Sequence, residues 1–85
     1  MQISVDISLY PLKEMGYEQP ILDFIAALEK EQNVDIVRNE LSTQVHGDYA
    51  IIMTLLQEKI YAVFEELPDS VFVLKLVGNN RKGIY

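Results

Sequence analysis

The chain has no cysteine and no tryptophan, and His46 is its single histidine. Without thiolates there is no disulfide framework, no thiolate metal centre and no cysteine nucleophile, and one imidazole cannot build a histidine-rich metal site. Basic residues are also scarce: 7 Lys and Arg stand against 13 Asp and Glu, a formal charge of −6 with a pI near 4.5. That balance excludes a nucleic-acid binder that works by neutralising phosphates. No window approaches the roughly 18 or more consecutive apolar residues of a membrane span. The first ten residues alternate in polarity and lack a basic start, so no signal peptide is expected and the cytoplasm is the default compartment.

What is present is an ordinary globular composition, 49% hydrophobic and 24% charged over 85 residues, which argues for one folded domain. A chain of this size buries only about 60 to 65% of its unfolded surface, so a partner subunit would strengthen a thin core. From Gln2 to Tyr10, Ile3, Val5, Ile7 and Leu9 share one face while Ser4, Asp6, Ser8 and Tyr10 share the other, the pattern of a half-buried strand ending at Pro11. Ile21, Phe24, Ile25 and Leu28 recur at helical spacing behind Pro20 and predict a helix from Glu18 to Gln32. Two short extended runs follow, Val34 to Asn39 and Leu41 to Gly47, close enough together to form a hairpin. Asp48 is a natural N-cap for a second helix, Tyr49 to Leu67, which Pro68 stops. Ser70 to Gly78 alternates again as a last strand, and residues 78 to 85 read as a turn and a solvated tail.

The order β-α-β-β-α-β predicts an α+β, ferredoxin-like sandwich: a four-stranded antiparallel sheet, strands one and three central, with two helices on one face. The opposite face then carries Ser4, Asp6, Ser8, Tyr10, Val37, Ser42, Gln44, His46, Val71, Val73, Lys75 and Val77. It is too apolar for a fully solvated face and too polar for a core. A subunit interface accounts for such a surface, and a polar pocket edged by that interface is compatible with it.

Catalytic constellations are weak. The carboxylate pairs Asp35 with Glu40 and Glu65 with Glu66 fall at strand and helix ends, where charges ordinarily meet solvent. Ser42 and His46 stand four residues apart on a strand, about 13 Å, too far for a hydrogen bond. Gly16 and Gly47 are isolated, so no glycine-rich loop cradles phosphate. The loop from Pro11 to Tyr17 holds neither a Cys-x-x-Cys, as in metal chaperones of this topology, nor the arginine of an acylphosphatase-like enzyme. The central strands also lack the stacking aromatics of an RNA-recognition motif.

Three segments carry a resemblance: Ile7-Ser8-Leu9-Tyr10-Pro11-Leu12 with Pro20-Ile21, then Leu41-Ser42-Thr43-Gln44-Val45-His46-Gly47-Asp48-Tyr49, and Phe72-Val73-Leu74-Lys75. Together they resemble the YkoF-like group of the thiamine-binding protein family, over nearly the whole chain from Ile3 to about Gly78. The resemblance implies a non-enzymatic ferredoxin-like domain, without a cofactor, that binds thiamine or its hydroxymethylpyrimidine part. It also implies a homo-oligomer, dimer or tetramer, through the open sheet face, since some relatives carry two such units in tandem and this chain carries one. Within the matched segments Ser8, Ser42 and Thr43 offer hydroxyls to an aminopyrimidine, nearby Asp6 offers a carboxylate to its amino group, and Tyr10 offers a ring face to a thiazolium cation. Ser42 and Thr43 point to opposite faces of a regular strand, so both line one pocket only where a bulge or a strand end intervenes. The alternative is an interaction module that oligomerises through the same face without a ligand.

Overall fold

The computed structural model describes residues 1–12 and 18–84. Residues 13–17, the part of the first loop compared above with chaperone and acylphosphatase loops, lie outside the described residues, as does Tyr85. The elements are β1 (Gln2–Pro11), α1 (Glu18–Glu29), β2 (Val34–Arg38), β3 (Thr43–Asp48), α2 (Tyr49–Glu66) and β4 (Ser70–Val77). They form an antiparallel sheet in the order β2-β3-β1-β4, so β1 and β3 are central and the ferredoxin-like arrangement is present. Among the described residues no helix is long and apolar enough to cross a membrane.

The alternation in β1 sends Ile3, Val5, Ile7 and Leu9 into the core, where they meet Val45 of β3, Phe24 and Leu28 of α1, and Ile52, Leu55 and Leu56 of α2. Phe72 of β4 packs its ring between Phe24 at 5.1 Å and Phe64 at 5.4 Å, both tilted as aromatic quadrupoles prefer. Asp48 caps α2 as its residue type predicts, accepting from the Ala50 amide.

The ends of β2, β3, α2 and β4 each fall one residue from the sequence expectation, and three further boundaries differ for a local reason. α1 stops at Glu29 rather than Gln32, because residues 30–33 bring no apolar side chain to the core and the Glu31 carboxylate instead accepts from the Asn33 backbone and side-chain amides. β3 starts at Thr43 rather than Leu41, because the Asn39 side-chain oxygen captures the amides of Leu41 at 2.7 Å and Ser42 at 2.9 Å and folds them into the hairpin turn. β1 runs on through Pro11, where a missing N–H costs no ladder bond because that edge has no partner strand there among the described residues.

The tail is exposed as expected at all of residues 78–84 but Asn80. It is also anchored: it turns after Val77 and lies against the open face near the start of β1. The Arg81 amide donates to Ser4 Oγ at 2.7 Å, the Asn80 side chain reaches Gln2 at 3.3 Å, and Lys82 pairs with Asp35 at 3.5 Å.

Candidate functional site

The register places Ser4 opposite His46, Asp6 opposite Gln44 and Lys75, Ser8 opposite Val73, and Tyr10 opposite Val71, all on the face away from the helices. This face has two ends with different chemistry.

At the first end, beneath the tail, Ser4 and His46 are 6% and 2% exposed and 2.7 Å apart. Ser4 Oγ accepts the Arg81 amide, so its own hydrogen goes to His46 Nδ1. The imidazole proton is then on Nε2 and is donated to Gln44 Oε1 at 3.0 Å. Burial holds the His46 pKa below its ordinary value, the Lys82 ammonium lowers it further, and Asp35 opposes both. A neutral, fully partnered imidazole results. A Ser–His pair therefore exists, between strands rather than along one, and sequence spacing missed it because only the register reveals it. The serine oxygen is occupied by the tail and is positioned as a structural link, not an exposed nucleophile.

At the other end the sheet comes apart. The β1–β3 pairing stops at Ile7 opposite Thr43, while β1 continues four residues further along β4. The hairpin turn at 39–42 curls away, and a cleft of about 540 Å³ opens between it, the end of β1 and α1. Ser8, Tyr10 and Ser42 reach it from the open-face side, while Leu9, Ile21, Phe24, Ile25 and Thr43 close it from the helix side. Ser42 and Thr43 share it because the strand ends between them.

Four of the five sequence-predicted residues, Ser8, Tyr10, Ser42 and Thr43, thus line one cavity. Asp6 does not line it. Its carboxylate accepts from Ser42 Oγ at 2.6 Å, which orients that hydroxyl so that the oxygen's lone pairs remain for a ligand. The helix-side wall went unread in the sequence, since Ile21, Phe24 and Ile25 look like any amphipathic core stripe. Asn39 went unread too, although an Asn before a two-residue turn signals side-chain capture of the next amides. Leu41, at the turn's tip, is 88% exposed beside the cavity. Among the described residues no group of His, Cys, Asp and Glu could hold a metal ion.

No protein-family model matches the chain, and no curated protein matches it in sequence. Solved structures do match in fold. A Streptococcus pneumoniae protein superposes with a TM-score of 0.86 at 21% identity, covering 99% of this chain and 93% of that one. A Thermotoga maritima protein, provisionally assigned to thiamine biosynthesis or salvage, gives 0.79 at 19% identity over 100% of this chain and 89% of that one. A hypothetical protein of Methanocaldococcus jannascii also gives 0.79 at 19% identity, over 99% and 87%. Identities this low show a shared fold and nothing finer.

Proposed function

We propose that this chain binds a small heteroaromatic molecule, thiamine or its hydroxymethylpyrimidine part, in the cleft at the end of β3, and serves as a carrier, sensor or salvage accessory rather than a catalyst. The observation that carries the reading is the cleft itself. Its volume lies within the range of small-molecule sites, and its lining is apolar with a few convergent polar groups, Ser8, Ser42 and Thr43. Tyr10 stands at its mouth, where its ring face can attract a cation by about 0.5 to 2 kcal/mol. The resemblance of the sequence segments and the thiamine-related role ascribed to the T. maritima neighbour support the same ligand class. A binding rather than catalytic role is favoured because the Ser4–His46 pair lies buried under the tail, towards the other end of β1 from the cleft. Calorimetry of the pure protein with thiamine and with hydroxymethylpyrimidine tests it: saturable heat that Ser42→Ala weakens is expected, and no heat at millimolar ligand contradicts it.

A second reading has its own support. Val71, Val73 and Val77 are each more than two-fifths exposed along β4, beside an exposed Tyr10, a surface suited to a second copy of the chain. On this reading the protein is an oligomer through the open face, and Val73→Asp dissociates it in native mass spectrometry. A monomeric parent protein contradicts the reading.

A further inference from the structure

The cleft exposes more than side chains. In an antiparallel sheet each residue turns its N–H and C=O to the same side, and successive residues turn to alternate sides. Two hydrogen bonds establish which residues of β1 turn which way. The Tyr49 amide donates to Met1 C=O at 2.8 Å on the β3 side, and the Leu12 amide donates to Asp69 C=O at 3.1 Å on the β4 side. Both continue the registers of their ladders. Odd-numbered residues of β1 therefore face β3: Ile3, Val5 and Ile7 meet Gly47, Val45 and Thr43.

Leu9 is next in line. Its place opposite belongs to Leu41, whose amide is given to Asn39 Oδ1 instead. The Leu9 N–H and C=O thus turn towards the cleft that Leu9 lines, with no partner strand among the described residues. A buried backbone pair of this kind calls for a partner. The gap is one residue long, because Ile7 is already paired and Pro11 has no N–H to give. It is too short for a peptide strand and suits a single ring.

We infer that the Leu9 backbone is the recognition edge of the cleft, and that it reads a planar heterocycle presenting a ring-nitrogen acceptor beside an amino donor. The ring nitrogen accepts the Leu9 N–H and the amino group donates to the Leu9 C=O, as a partner residue in the sheet would. Ile21, Phe24 and Leu41 supply the apolar surroundings for the ring faces. The inference rests on the binding reading above and says how that site selects its ligand: by an amidine-like edge met by main chain, with Ser8 and Ser42 left for substituents.

Amide-resolved NMR of the 15N-labelled full chain tests it. In the free protein the Leu9 amide exchanges with solvent at least about tenfold faster than that of Ile7, since only the latter is in a ladder. Saturation with hydroxymethylpyrimidine moves the Leu9 amide proton downfield and slows its exchange by about tenfold or more. The dimethylamino analogue, which has no hydrogen to donate, binds about tenfold or more weakly because it leaves the Leu9 C=O unpaired. Equal protection of Leu9 and Ile7 in the free chain overturns the inference. Binding that leaves the Leu9 amide unmoved, or equal affinity for the two compounds, overturns it while the binding reading stands. No binding of either compound at millimolar concentration overturns both.

Discussion

The two ends of the open sheet face are built from the same kinds of residue and treated in opposite ways. At the start of β1, Ser4, His46 and Gln44 form a closed chain of hydrogen bonds, and the C-terminal tail completes it through the Arg81 amide. At the end of β1, Ser8, Tyr10 and Ser42 border an open cleft, and the main chain of Leu9 has no partner strand among the described residues. Serine and histidine at the first end serve the fold, because the Ser4 hydroxyl, the His46 Nε2–H and the Arg81 amide each have an acceptor. At the second end the hydroxyls and backbone groups keep capacity to spare, and spare capacity in a concave site is what a ligand can use.

This contrast can be broken from either side. The largest effect is expected from Ser8→Trp, which fills the cleft from the open face. Pyrimidine binding then falls by at least about 100-fold, about 2.7 kcal/mol, while stability to urea stays within about 1 kcal/mol because Ser8 is only half-buried. Next is Ser4→Ala at the closed end. It strands His46 Nδ1 and the Arg81 amide, lowers stability by about 1 to 3 kcal/mol in urea titration, and leaves ligand affinity unchanged.

The third test is pH. The folded protein holds His46 below its ordinary pKa, so it favours the neutral ring and the unfolded chain takes up the proton first. The stability from this group is present above the ordinary histidine pKa of about 6.5 and is lost as pH falls below it towards the depressed folded value. Protonation also places a hydrogen on Nδ1, opposing the Ser4 hydroxyl that now donates there, between the Lys82 ammonium and the Asp35 carboxylate. The melting temperature is therefore expected to fall from about pH 7.5 to about pH 5.5, and His46→Gln flattens that part of the profile. The smallest effect is expected from Lys82→Ala, since its pairing with Asp35 is half in water. Stability changes by less than about 0.5 kcal/mol.

How much of this was legible beforehand follows the range of the physics. The alternation of Ile3, Val5, Ile7 and Leu9 and the helical spacing of Phe24 and Leu28 are local signals, and they were enough for the element order and hence the fold. The Asp48 cap was legible for the same reason. Pairing of Ser4 with His46 depends on the register between strands 42 residues apart in sequence, which no local pattern encodes. The docking of the tail uses Ser4 together with Gln2 and Asp35, groups that only the fold brings together. The cleft was half legible: Ser8, Tyr10, Ser42 and Thr43 could be named from their segments, but their shared cavity exists because Asn39 draws Leu41 and Ser42 out of the ladder. Whether Ser42 and Thr43 can meet one ligand was a question of where β3 begins, and a difference of two residues decided it.

The most direct test of the difference between the two ends is a titration of the 15N-labelled protein with hydroxymethylpyrimidine, followed by amide shifts. The account predicts saturable shifts confined to residues 8–12, 21–25 and 39–43, with Ser4, His46 and Arg81 unmoved. Shifts centred on the tail and the Ser4–His46 pair, or none anywhere at millimolar ligand, would contradict it.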